Sequence, residues 1–439
     1  MIMSSVFLIS DRNSVLLLCS IFLPLVEINS SIIMNEKGNS RQRNFGNTAF
    51  MPKEEHLETA VKNRNISIGI PANNNDDEKR VAVTPESVNL LVETGNEVFV
   101  QKGAGSGANY TDKDFSDNGA VITDSPARVY GADVVIKVAP FDEHETDYLK
   151  GNQLVLSFLN VLKLSEETLG KLIRKKVTAI AFEKIKDSNG VLPVMESMSE
   201  ICGITSILIA SDYLSNHHGG KGVMLGGITG VTPTEVVIIG ANTAGEYAAR
   251  AAIGLGSEVM IFDSSLHRLR HFQNLLGQRL QTSVFHPQVL KKALKSADVL
   301  IGAIELEDLK PWYYITEDMI MMMKKGSVII DLSIDRGGCI ETTECRALHD
   351  PVYEKHGVIH FSAWNLPSRV ARTASIALSN IFIPILQNMA DAGGMTQLLK
   401  NDTGLRNGAY LYNGILTNQT LGQKFGILSK DLDLLLSAF

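Results

Sequence analysis

The ten residues Val236-Val237-Ile238-Ile239-Gly240-Ala241-Asn242-Thr243-Ala244-Gly245 constrain the fold of this chain more than any other stretch. A short apolar run ends in a turn with glycines at its first and sixth positions. An Ala-rich segment from Tyr247 to Leu255 follows. A second apolar run, Val259-Met260-Ile261-Phe262, then ends in Asp263. Strand, turn, helix, strand and acid in this order are the layout of a dinucleotide-binding βαβ unit. The first glycine makes the tight turn, and the last lets helix and strand approach closely. The helix N-terminus faces a pyrophosphate, and the acid accepts hydrogen bonds from a ribose. The middle position of the fingerprint holds Asn242 in place of glycine. Asparagine tolerates the left-handed backbone region better than most residues, so the turn survives. Asp263 would repel a ribose 2′-phosphate, so the expected cofactor is NAD.

The chain has 439 residues, enough for about two or three domains. With 44% hydrophobic and 20% charged residues it has the composition of a globular protein. A net charge of −7 argues against a nucleic-acid partner. Cys19, Cys202, Cys339 and Cys345 form no C-x-x-C pair. Neither a disulfide framework nor a structural zinc site is expected, and a reducing compartment is the default. Val15 to Val26 is an apolar run after Arg12, but no small-x-small cleavage site follows it. The stretch from Asn35 to Thr48 is polar and reads as disordered. Residues 1–64 are therefore expected to be an extension, with the true start nearer Met34 or Met51. A soluble nicotinamide cofactor implies a cytoplasmic protein. No later segment reads as long and apolar enough for a transmembrane helix, so no membrane partner is expected.

From Asn65 the pattern alternates. Ile66 to Ile70 reads as a strand, Pro85 to Glu93 as a helix with proline in its first turn, and Glu97 to Val100 as a strand. Val134 to Val138, Leu154 to Phe158 and Ala179 to Phe182 read as further strands. A long helix over Met198 to Asn216 leads to a second series, with strands at Val236, Val299 to Gly302 and Val328 to Leu332. A mostly helical tail follows Ala371. The expected fold is α/β: two Rossmann-like, doubly wound parallel-sheet domains flanking a cleft. Residues 65–193 plus 372–439 form the substrate domain in this reading, and residues 194–371 the NAD-binding domain.

Several segments carry a family resemblance. They are Lys79 to Pro85, the strand ending at Lys137-Val138, Met198-Ser199-Glu200, the Gly240 fingerprint, Ile334 to Cys339, and Asn365-Leu366-Pro367. In order and spacing the chain resembles alanine dehydrogenases over about residues 66–425. The same fold serves the NAD-binding α subunit of transhydrogenase and a saccharopine dehydrogenase. The resemblance implies reversible, NAD-dependent deamination of a small amino acid to a 2-keto acid and ammonia. It also implies a homo-oligomer, dimeric or hexameric. The alternatives are the transhydrogenase subunit, a saccharopine- or imine-type dehydrogenase, and a non-catalytic NAD-binding regulator.

The chemistry needs cations for a carboxylate and an acid/base for the carbinolamine and imine. Arg80 follows the first strand, where a guanidinium can clamp a carboxylate in bidentate fashion. Lys137 interrupts an apolar run, and a lysine buried there without a purpose is costly. The resemblance makes it a second substrate ligand. Asp335 follows the strand Val328 to Leu332 at its carboxyl end, where open α/β sheets place ligands, and the resemblance gives it the catalytic step. Asp331 points to the other face by alternation and reads as structural. At the position of the family's catalytic histidine stands Asn160, which hydrogen-bonds a carbonyl but exchanges no proton near neutral pH. The family's second lysine is replaced by Ala139. The resemblance assigns cofactor contacts to Ser199, Arg268 and Asn365, beside Gly240, Asn242, Thr243, Ala244, Gly245 and Asp263. No metal site is expected: Asp142-Glu143-His144-Glu145 reads as a solvated charge run, and the adjacent His217 and His218 diverge on a helix.

Overall fold

The computed structural model describes residues 65–161, 164–276, 280–305 and 313–437. The expectations for residues 1–64 lie outside them. Strands β1 Ser67–Ile70, β2 Glu97–Gln101, β3 Val121–Thr123, β4 Val134–Lys137, β5 Leu154–Ser157 and β6 Thr178–Ala181 come first. A second set follows: β7 Glu235–Ile239, β8 Glu258–Phe262, β9 Gln281–Ser283, β10 Val299–Gly302, β11 Val328–Asp331, β12 Val352–Lys355 and β13 Val358–Phe361. The chain closes with β14 Ala409–Tyr412 and β15 Ile415–Leu416. The first sheet has the order β15-β14-β6-β5-β4-β1-β2-β3 and the second β12-β13-β11-β10-β7-β8-β9.

Strands β4, β5, β6, β10 and β11 are buried at every position. Parallel strands covered by helices on both faces need such continuous apolar runs. Successive residues serve opposite cores, as strand alternation requires. Val134 and Ile136 face one side of the first sheet and Val135 the other. Val236 and Ile238 do the same against Val237 and Ile239 in the second sheet. Register then fixes the functional edge. Gly302 pairs with both Ile239 and Asp331, so β7, β10 and β11 end at one level. Ser157 pairs with Lys137 and Ala181, so β4, β5 and β6 do likewise.

The tail after Ala371 is mostly helical, and it adds β14, which runs antiparallel to β6 and forms a hairpin with β15. Asn413 and Gly414 turn that hairpin at φ 49° and 76°, an Asn-Gly signal for a tight turn. Two expectations need correction. The long helix spans Pro193–Leu214, because proline fits its first turn without losing a hydrogen bond. Among the described residues, two segments, Pro193–Leu214 and Leu366–Asp391, are long and apolar enough by length and composition to cross a membrane. Each packs one face against the fold, with 44% of its apolar stretch buried. The first buries Met198, Ile207 and Leu214, and the helix Ala371–Asp391 buries Leu378, Phe382 and Leu386.

Candidate active site

Gly240 ends β7 at φ 113°, in the left-handed half of backbone space that favours glycine. A Cβ there would meet the Ala303 carbonyl oxygen at 2.3 Å. A Cβ on Gly245 would meet the Gly240 carbonyl oxygen at 2.0 Å, so helix and strand touch through the missing side chain. Asn242 is not left-handed. It is extended at φ −101° and caps the helix Thr243–Gly254, its side chain accepting from the Gly245 N–H at 3.0 Å. The residue type therefore answers a capping need, which asparagine meets well. Asp263 is buried at the end of β8. Its Oδ2 accepts from Ala241 N–H at 2.8 Å and its Oδ1 from Ser265 N–H at 2.7 Å. Arg268, half exposed, closes on Oδ1 through Nε at 3.0 Å and Nη2 at 2.9 Å.

The loops at the carboxyl ends of both sheets enclose a cleft of about 710 Å³. Arg80, Ala139 and Asn160 enter it from the first sheet, and Asn242, Thr243, Ala244 and Asp335 from the second. Asn365 lines it as well, as do Ser199 and Cys202 from the long helix. Ser199 lies inside that helix and not at its cap, since the helix begins at Pro193. Burial and the Asp335 carboxylate push the Cys202 thiol up to about 12, against the opposing pull of Arg80. One thiol thus feels both the guanidinium from one sheet and the carboxylate from the other.

Arg80 is held side-on by Glu78, through Nε to Oε1 at 2.8 Å and Nη2 to Oε2 at 2.6 Å. Its Nη2 also donates to Asn365 Oδ1 at 2.8 Å. Burial alone would push Glu78 up. The paired guanidinium and a hydrogen bond from Ser368 hold its carboxyl below the usual range instead. Glu78 was missed in the sequence. Its signal was a carboxylate two residues before the expected carboxylate clamp.

Lys137 is not brought into the cleft. Its ammonium forms a buried ion pair with Glu145, whose Oε1 also accepts from Tyr130 Oη at 2.8 Å. The side chains are 3% and 4% exposed. Glu145 is thus no part of a solvated charge run. It also completes the capping box of the helix Glu143–Asp147. A buried pair broken on one side leaves an uncompensated charge and costs roughly 3–5 kcal/mol. Lys137→Met is accordingly expected to lower unfolding free energy by about that much in urea melts. A raised KM with unchanged stability would instead return Lys137 to the substrate.

Asn160 stands at φ 30° after β5, and its backbone N–H donates to Glu183 Oε1 at 3.0 Å. Burial pushes Glu183 up to about 7, against the backbone hydrogen bonds it accepts. Its Oε2 is buried with no hydrogen-bond partner among the described residues. The folded protein therefore holds a proton on Glu183 that the unfolded chain releases at lower pH. This contribution is complete below the unfolded value of 4.5 and is lost as pH rises through about 7. Glu183→Gln keeps an acceptor under the Asn160 turn without the charge. It is expected to stabilise the protein by up to roughly 3 kcal/mol at pH 8 and by little at pH 4, read from melts at both pH values.

Asp335 lies in the single turn Ile334–Arg336 after β11. The turn is pinned by Asp331, which accepts from Ser333 N–H at 2.9 Å, Cys339 N–H at 3.0 Å and Thr343 Oγ1 at 2.9 Å. A helix N-terminus set behind a glycine turn on one sheet and a largely covered guanidinium on the other line one cleft. That combination defines a dinucleotide-dependent oxidoreductase built on two Rossmann-like sheets.

The comparisons with known proteins narrow the class. Residues 69–202 match the model "Alanine dehydrogenase/PNT, N-terminal domain", and residues 206–419 match "Alanine dehydrogenase/PNT, C-terminal domain". The chain belongs to the alanine dehydrogenase/PNT family. It is 37% identical to an alanine dehydrogenase of Staphylococcus saprophyticus, over 83% of this chain and 98% of the relative. It is 38% identical to an alanine dehydrogenase of Staphylococcus haemolyticus, over 82% of this chain and 97% of that one. A solved L-alanine dehydrogenase superposes with a TM-score of 0.77 at 34% identity, covering 82% of this chain and 99% of the other. A transhydrogenase from Sinorhizobium meliloti shares the fold, with a TM-score of 0.68 at 23% identity over 80% and 98% of the two chains.

Proposed function

We infer that this protein is an NAD-dependent amino-acid dehydrogenase that converts L-alanine reversibly to pyruvate and ammonia. The observation that carries the reading is the cleft, which joins the Gly240 turn and helix N-terminus to Arg80 and Asp335. The residues fit a dinucleotide. The Gly240 and Gly245 positions admit no Cβ, the helix Thr243–Gly254 opens on the cleft, and Asp263 ends β8. Bound there, NAD would supply the acceptor for the hydride leaving the substrate α-carbon.

The chain's own residues do the rest. Arg80 binds the substrate carboxylate, with Glu78 fixing its plane. Asn160 donates a hydrogen bond to the carbonyl or carbinolamine oxygen. Asp335 takes and returns the proton as water adds to the imine and ammonia leaves. Asp263 and Arg268 serve the adenosine end, and Ser199 contacts the cofactor from the long helix. Residues 65–193 plus 372–439 act as the substrate domain and 194–371 as the NAD domain. Support comes from β14 and β15, which return the tail to the first sheet. We place the protein in the cytoplasm, where soluble NAD is available, and as a homo-oligomer. Exposed Ile204 and Leu208 on the long helix and Ile376 on the helix Ala371–Asp391 support self-association.

The test follows NADH consumption with pyruvate plus ammonium, and then with other 2-oxo acids. Turnover with pyruvate is the expected result. A second reading, NAD binding without turnover, is favoured by Asn160 and by the burial of Lys137 away from the cleft. Measurable NADH binding with no turnover of any 2-oxo acid would establish it.

A further inference from the structure

Arg80 presents five N–H donors in one plane. Glu78 takes two along the side-on edge, through Nε and Nη2. A carboxylate gripped by two parallel bonds then needs the end-on edge, made by the second N–H of Nη2 and one N–H of Nη1. That edge is occupied. Asn365 Oδ1 accepts from Nη2 at 2.8 Å, and Met198 Sδ lies 3.3 Å from Nη1. Asn365 is itself tightly held, at φ 59°. Its Nδ2 donates to the Asp77 carbonyl at 2.8 Å, to Ser368 Oγ at 2.9 Å and to Glu78 Oε2 at 3.1 Å. The loop after β13 therefore delivers one carboxamide oxygen to the place where a substrate carboxylate oxygen belongs.

We propose that Asn365 is a built-in competitor for the substrate carboxylate, which enters by displacing the Asn365 carboxamide from Arg80 Nη2. The inference rests on the reading of Arg80 as the carboxylate ligand. The exchange is selective. An anionic oxygen makes a stronger bond to guanidinium than the neutral amide oxygen it replaces. A neutral ligand, such as an amide or alcohol, gains nothing from the swap. Asn365 thus sets a threshold that carboxylates pass. The exchange also removes one tie between the loops that carry Arg80 and Asn365, which belong to different sheets. Asn365 acts here on the substrate side of the cleft and not as the cofactor contact that the sequence resemblance implies.

Oxamate, an unreactive isostere of pyruvate, tests this by calorimetric titration into the full chain saturated with NADH. Two variants are compared with the parent. Asn365→Gly and Asn365→Asp both tolerate the left-handed backbone, and a thermal melt checks their folding. Asn365→Gly removes the competitor and is expected to tighten oxamate binding by roughly ten-fold. Asn365→Asp places a second carboxylate beside Arg80 and Glu78 and is expected to weaken it by roughly ten-fold or more. NADH affinity stays unchanged in both. Weaker oxamate binding in both variants would make Asn365 a support for Arg80 and overturn the proposal. So would a loss of NADH affinity. A parent protein that binds NADH but no oxamate would overturn the reading of Arg80 and the proposal with it.

Discussion

Arg80→Ala is expected to lower kcat/KM for pyruvate by roughly 10²- to 10⁴-fold while leaving NADH affinity unchanged. Two losses add. The substrate loses its charge-assisted bonds, each worth about 1.5–3 kcal/mol. Glu78 loses the partner that keeps it ionised in a buried position, since its carboxyl is held low mainly by Arg80 against the pull of burial. An unpaired Glu78 takes up a proton or repels the incoming carboxylate, and either outcome harms binding. Arg80→Lys separates the two effects. An ammonium keeps the charge but cannot hold Glu78 side-on and a second acceptor end-on. It should retain stability better than Arg80→Ala and still bind pyruvate poorly. Steady-state kinetics with a parallel NADH titration reads both terms. A KM for pyruvate unchanged in Arg80→Ala would remove the guanidinium from the substrate site.

The parts of this fold legible in the sequence are those set by local geometry. Gly240 and Gly245 sit where a Cβ would strike a carbonyl oxygen at 2.3 and 2.0 Å, and the spacing of the two glycines carries that constraint openly. Continuous apolar runs likewise located β4, β5, β10 and β11. Long-range pairing was the difficulty. Lys137 inside an apolar run reads as a substrate ligand, yet its ammonium pairs with a carboxylate eight residues on, in a stretch that looks solvated. Glu145 and Lys137 bury each other, and neither position discloses this alone. Asn242 failed differently: a residue that tolerates positive φ also caps helices, and composition does not choose between the two uses. Asn365 shows the same limit. Its place in the cleft was expected, whereas its bond to Arg80 joins residues 285 positions apart. Glu183 followed an all-buried strand and was passed over, since a carboxylate there is costly unless it keeps its proton.

Asp335→Asn is expected to lower kcat by roughly 10²- to 10⁴-fold, with oxamate and NADH affinities little changed. Asparagine preserves shape and hydrogen bonding at the turn Ile334–Arg336, while Asp331 continues to pin that turn through three acceptor contacts. The loss therefore isolates proton exchange from positioning. The same logic applies in reverse at Asn160, a cleft residue at φ 30°. Histidine is among the few side chains enriched in that backbone region, so Asn160→His introduces an acid/base group without a large backbone cost. The variant is expected to raise kcat with pyruvate and to add an inflection near the histidine range to its pH profile. The double variant Asp335→Asn/Asn160→His decides how the two positions share the work. If Asp335 alone moves the proton in the parent protein, the new imidazole recovers part of the lost kcat. If Asn160→His raises kcat in neither Asp335 background, the substrate oxygen obtains all it needs from a neutral hydrogen bond. Proton transfer then belongs wholly to the Asp335 side of the cleft. An Asp335→Asn protein with parental kcat would move it elsewhere. Glu183, under the Asn160 turn and pushed up to about 7, is the next group to substitute in that case.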